Sequence, residues 1–129
     1  MTFKACFLSF IMDSKKKEYE LEVNRGNWVR ALYLAKELNL DPDKIKEIAH
    51  NALWLLGGIA RNPYAIKKLA EELGYSKEEI KEILLQRAKH EEEVGNNKVL
   101  GECYDYKTDR YLSFNKWLER LLKEWNKIN

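Results

Sequence analysis

The sequence Leu34-Ala35-x-x-Leu38-x-Leu40-Asp41-x-x-x-Ile45-Lys46-Glu47-Ile48 recurs 35 residues later as Leu69-Ala70-x-x-Leu73-x-Tyr75-Ser76-x-x-x-Ile80-Lys81-Glu82-Ile83. Each copy reads as a helix, a tight corner and a second helix. The apolar positions before and after the break fall at helical spacing. The residue after the break is a good N-cap in both copies, Asp41 and Ser76. Pro42 follows Asp41 at the first helical position, where its missing N–H costs nothing. Glu79 lies three residues after Ser76 and completes a capping box. A chain built on two such corners is constrained to helical packing, and its expected class is all-α or nearly so.

The flanking pattern extends this reading. Trp28, Ala31, Leu32, Leu34, Ala35 and Leu38 form the buried stripe of a helix from about 27 to 38. Ile45, Ile48, Ala49, Ala52, Leu55, Leu56 and Ile59 continue the next helix, with Gly57-Gly58 where another helix can cross closely, until Arg61-Asn62-Pro63 closes it. Ala65, Ile66, Leu69, Ala70 and Leu73 make the first helix of the second copy, and Gly74 ends it. The helix after Ser76 is expected to fray at Glu91-Glu92-Glu93, because negative charge is disfavoured at a helix C-terminus.

The two ends differ. Over residues 3–24, Tyr19, Leu21 and Val23 alternate with glutamates at strand period, but Lys15-Lys16-Lys17 ahead of Glu18, Glu20 and Glu22 suits a helix that stops at Gly26. Helix is the favoured reading. Near the C-terminus, Val99–Tyr104 and Arg110–Leu112 flank a polar turn and predict a β-hairpin. Ser113 then caps a last helix with Trp117, Leu118, Leu121, Leu122 and Trp125 on its apolar face. The expected organisation is a single domain over residues 1–129. It comprises an N-terminal segment (1–26), two helical-hairpin units (27–61 and 62–94), and a hairpin with a C-terminal amphipathic helix (95–129).

Gly26-Asn27-Trp28-x-x-Ala31-x-x-x-Ala35-x-x-Leu38 resembles the second helix of a tetratricopeptide repeat, and Leu56-Gly57 resembles the Leu-Gly pair of the next repeat. That resemblance implies stacked helix pairs with a concave face for peptides or partner proteins. The second copy, Leu69-Ala70-Glu71-Glu72-Leu73-Gly74-Tyr75-Ser76-x-x-x-Ile80-x-x-Ile83, also resembles a helix-turn-helix. That would make 76–89 a recognition helix and the hairpin around Lys107 and Arg110 the wing of a winged-helix domain.

Charge weighs between them. The chain of 129 residues is 34% charged with a formal net charge of +2, too balanced to mark a nucleic-acid or membrane partner by itself. On the would-be recognition helix, Lys77, Lys81, Gln86 and Arg87 compete with Glu78, Glu79 and Glu82. The leading expectation is a non-catalytic interaction module that binds a protein partner or a second copy of itself. Trp28, Tyr33, Trp117 and Trp125 are its candidate contact residues. The alternative is a winged-helix-like DNA-binding regulator using Lys77, Lys81, Gln86, Arg87, Lys107 and Arg110. A third reading is a small accessory subunit of a nucleoprotein complex.

No catalytic chemistry is written in the sequence. Glu47-x-x-His50 has the spacing of a di-iron bundle ligand pair but lacks a second copy. Gly57-Gly58 lacks the Lys-Ser/Thr partner of a phosphate loop. Cys6 and Cys103 form no disulfide framework. The expectation is no enzyme activity, cofactor or metal. The apolar run from Met1 to Met12 is short of the roughly 20 residues that span a bilayer and lacks a cleavage site. It is read as core, or as an extension ahead of a second start at Met12. The chain is expected to be cytoplasmic without a membrane partner, and its Lys/Glu richness leans towards a thermophile, a composition that an AT-rich genome also gives. Tyr104, Tyr106 and Tyr111 cluster near Lys107 and Arg110. They suit base stacking or a partner anchor, or they cover the core with their hydroxyls in water.

Overall fold

A computed structural model describes residues 3–128. Its regular elements are six α-helices and one two-stranded antiparallel hairpin: α1 (Phe3–Arg25), α2 (Trp28–Glu37), α3 (Pro42–Trp54), α4 (Pro63–Leu73), α5 (Lys77–Glu93), β1 (Cys103–Asp105), β2 (Arg110–Leu112) and α6 (Phe114–Lys123). The mostly α expectation holds, and residues 3–24 are helical. The chain divides into two compact units, Met1–Ala52 and Leu53–Asn129, with the division falling inside α3.

In the first unit, α1 ends at Gly26, whose φ of 74° is left-handed. The Asn27 N–H then reaches back to Glu22 O at 2.9 Å, the long closing bond of a Schellman turn. Lys15 pairs with Glu37 at 2.9 Å and Arg30 with Glu18 at 2.8 Å. These pairings run in opposite chain directions, so α1 and α2 are antiparallel. Ala31, Leu32, Leu34 and Ala35 on α2, and Ile48, Ala49 and Ala52 on α3, are buried.

The repeat is reproduced bond for bond at its two corners. Leu40 N–H donates to Ala35 O at 3.1 Å, and Tyr75 N–H to Ala70 O at 2.9 Å. Asn39 N–H donates to Lys36 O, and Gly74 N–H to Glu71 O, both at 3.1 Å. Asn39 (φ 54°) and Gly74 (φ 74°) both take the left-handed conformation, which Gly and then Asn tolerate best. The Asp41 carboxylate accepts from Asp43 N–H at 2.8 Å. Ser76 and Glu79 complete the expected capping box.

In the second unit α3 does not end as an ordinary helix. Leu55–Ile59 widen into a π turn, sealed by Ala60 N–H donating to Leu55 O at 2.9 Å. A Cβ on Gly57 would stand 2.5 Å from Ile66 Cδ1 and 3.1 Å from Leu84 Cδ2. This is the close crossing that Gly57-Gly58 predicts. Ile66, Leu69, Ala70, Ile80, Leu84, Phe114, Trp117, Leu118 and Leu121 are buried around it. The Trp54 and Phe114 rings lie 5.2 Å apart, with the Arg87 guanidinium 5.8 Å over Trp54.

Two expectations are corrected. Val99-Leu100 are not strand but part of a 3₁₀ turn, Asn97–Leu100, since the opposite strand is only three residues long and ends at Leu112. Nor does α5 fray at the three glutamates, which stay helical to Glu93. Glu91 is buried, accepting from Arg87 Nε at 2.8 Å and from Asn96 Nδ2 at 2.7 Å, and these donors hold its carboxyl below the ordinary carboxylate range. Gly95 (φ 81°) closes the helix two residues after Glu93. The acidic run is thus divided, with Glu91 inside and Glu92 and Glu93 in solvent.

Candidate functional site

The hairpin aligns Cys103 with Leu112, Tyr104 with Tyr111 and Asp105 with Arg110. Residues directly opposite share a face. One face therefore carries Tyr104 and Tyr111, and Tyr106 joins it from the loop. Tyr104 meets Tyr106 edge-on at 5.0 Å and Tyr111 at 5.5 Å. Tyr106 is 90% exposed and Tyr111 66%, so these rings do not serve as core cover. The Tyr104 hydroxyl donates to the Asp109 carboxylate, and that acceptor raises the Tyr104 pKa above the usual phenol value.

The other face is clamped. The Asp105 carboxylate accepts two bonds from the Arg120 guanidinium on α6, one of them from Nη2 at 3.0 Å. It also accepts from Thr108 N–H at 2.9 Å and Thr108 Oγ1 at 2.6 Å. Arg120 first, then Thr108, holds this carboxyl at about 2, against an ordinary 3.8. Lys107 Nζ donates to Glu124 at 3.2 Å, adding a second tie between hairpin and α6.

Arg61 anchors the base of the hairpin. Held at φ 50° between the π turn and α4, it donates Nη1 to Leu112 O at 2.7 Å and Nη2 to Gly101 O at 2.8 Å and Val99 O at 3.1 Å. Its guanidinium stands 6.0 Å from the Phe114 ring centre. Burial lowers its pKa and the nearby Cys103 raises it. Between this anchor and the tyrosines opens a groove of about 440 Å³. Ile59, Tyr64, Tyr104, Tyr106 and Lys107 line it, with Trp117 and Arg120 below. Tyr64 and Ile59 are exposed, so the rim is apolar and aromatic. Its nearest charges are paired within the chain.

The residues singled out from the sequence fall elsewhere or are differently engaged. Trp117 and Trp125 are buried in the second unit, so the last helix spends its apolar face inside the chain rather than on a partner. Trp125 O and Ile128 O also accept from Lys67 Nζ, each at 2.6 Å. Trp28 is half-buried and Tyr33 exposed on α2 of the first unit. Lys77 and Lys81 share a shallow hollow with Lys123. Arg110 shares another with Lys116. Lys107 is paired with Glu124, Arg87 with Glu91, and Gln86 is exposed. Arg61 and Tyr64 are not marked as site residues in the sequence, because Arg61 reads as the close of one helix and Tyr64 as the start of the next.

His50 is half-buried, and burial with the Lys46 charge lowers its pKa. Among the described residues no three His, Cys, Asp or Glu side chains converge as metal ligands, neither cysteine is in a disulfide, and no helix is long and apolar enough to cross a membrane. No protein-family model, curated protein or solved structure matches the chain.

Proposed function

We propose that this chain is a non-catalytic helical interaction module of the cytoplasm, and that the tyrosine face of its hairpin, with Tyr64 and Ile59, docks a protein partner. The observation carrying this reading is that Tyr104 packs edge-on against both Tyr106 and Tyr111 on the solvent side of a hairpin whose opposite face is fixed by Asp105–Arg120 and Arg61. Aromatic side chains are the residues that dominate protein interfaces. Rings already packed on one another lose little freedom on binding, which improves affinity. The helices of the second unit serve as its scaffold. The test uses Tyr64→Ser, Tyr106→Ala and Tyr111→Ala together. The triple variant should keep the wild-type melting temperature and bind the partner isolated on the wild-type chain about tenfold more weakly or worse by calorimetry. Equal affinity would contradict the reading.

A second reading, a winged-helix-like DNA-binding protein, is supported by the convergence of Lys77, Lys81 and Lys123 on one hollow. Against it, the exposed positions of α5 include Glu78, Glu79, Glu82, Glu92 and Glu93. A gel shift with duplex DNA, single-stranded DNA and RNA decides it. Binding that weakens steeply with salt and is lost in Lys77→Ala/Lys81→Ala would favour this reading.

A further inference from the structure

Helix α1 leaves two phenylalanines, Phe7 and Phe10, in solvent. On the side facing α2, Ile11, Lys15, Glu18 and Glu22 are half-buried. Three of them bond to α2 or its N-cap: Lys15 to Glu37, Glu18 to Arg30, and Glu22 to Asn27 at 2.9 Å. On the flank about a quarter turn round the helix, Phe7, Phe10, Ser14, Lys17 and Leu21 are all exposed, Phe10 by 71% and Phe7 by 54%. Position 3 begins the same line. The spacing along it alternates four and three, the a/d seam of a coiled coil. The helix has 23 residues against the 10 of α2, about 35 Å against about 15 Å, so its N-terminal half overhangs.

We propose that α1 is a self-association helix, and that a second copy of this chain covers the seam in antiparallel orientation. The seam is symmetric about Met12. A two-fold axis there sets position 3 opposite 21, position 7 opposite 17, and position 10 opposite 14. The large Phe10 then meets the small Ser14, and Phe7 lies along the methylene stem of Lys17, whose ammonium reaches past it to water. The same register brings position 4, a lysine, level with Glu20. A parallel pair would instead stack Lys17 on Lys17 within the seam and align the two Lys15–Lys17 runs. A lipid surface is the poorer occupant. Lys4, Lys15, Lys16, Lys17 and Arg25 exceed Asp13, Glu18, Glu20 and Glu22 by a single charge, too little to draw the helix onto anionic headgroups. This inference does not rest on the tyrosine face.

Sedimentation velocity on the full chain tests it. The wild type should rise from 15.3 kDa towards twice that as concentration passes through roughly the micromolar range, as suits a small interface. Phe7→Ser/Phe10→Ser, and Phe10→Ser alone, should stay monomeric with unchanged helical circular dichroism. Leu8→Ser and Met12→Ser, exposed but off the seam, should associate like the wild type. With Cys6→Ser and Cys103→Ser as background, Phe10→Cys and Ser14→Cys chains should cross-link to each other faster than to themselves. A wild type that stays monomeric, an association that survives Phe7→Ser/Phe10→Ser, or equal loss from the Leu8 and Met12 changes would overturn the proposal. So would a solution monomer that is carried onto phosphatidylcholine–phosphatidylserine vesicles by the same two phenylalanines.

Discussion

At Asp105 one carboxylate ties the hairpin to Arg120 of α6, and its ionisation should be visible in stability. Its carboxyl is depressed to about 2, so its contribution is fully present above the ordinary 3.8 and is lost as pH falls through that window towards 2. Asp105→Asn should cost about 2 kcal/mol in urea unfolding at neutral pH. It should also flatten the acid limb of the stability profile between those values. Glu91 adds a loss of the same sign, since Arg87 and Asn96 hold its carboxyl low as well. Gly57 makes a different demand. An alanine there would drive a methyl to 2.5 Å from Ile66 Cδ1, an overpacking expected to cost about 1–3 kcal/mol, read as a fall in melting temperature.

The two helix corners are the elements most nearly dictated by sequence. Because Asn39 and Gly74 occupy the same left-handed position, Asn39→Ala and Gly74→Ala should each cost roughly 1 kcal/mol by thermal unfolding, and Asn39→Gly should cost nothing. The helical stripes, the capping box and the Gly26 stop were legible because each is a local signal. The π turn was not, because Leu55 to Ile59 keep a helical apolar pattern and only the crossing at Gly57 shows why the backbone widens. Val99-Leu100 read as strand on β propensity alone, but with no strand opposite them there is nothing to pair with. The buried Glu91 was hidden in an acidic run that composition treats as one solvated face. Arg61 looked like helix punctuation, because its three carbonyl acceptors lie some 40 to 50 residues away in sequence. Arg61→Ala should speed amide exchange across residues 99–112 while leaving α4 and α5 protected.

For the whole molecule, the tyrosines at positions 104, 106 and 111 were visible in the sequence as a cluster. Their outward direction was not, because it depends on which hairpin face α6 and Arg61 clamp. The tryptophans were visible too, yet the last helix buries its own. The exposed aromatic and apolar surface is therefore smaller than the aromatic content implies, and it includes the hairpin face with Tyr64 and Ile59 and the seam of α1. The hairpin face carries the central claim, and a photo-crosslinking residue at position 106 tests it most directly, with Glu82 on the exposed side of α5 as the control position. The account predicts a discrete crosslinked protein from position 106 and none from position 82. The same products from both positions, or nucleic acid rather than protein at position 106, would contradict it.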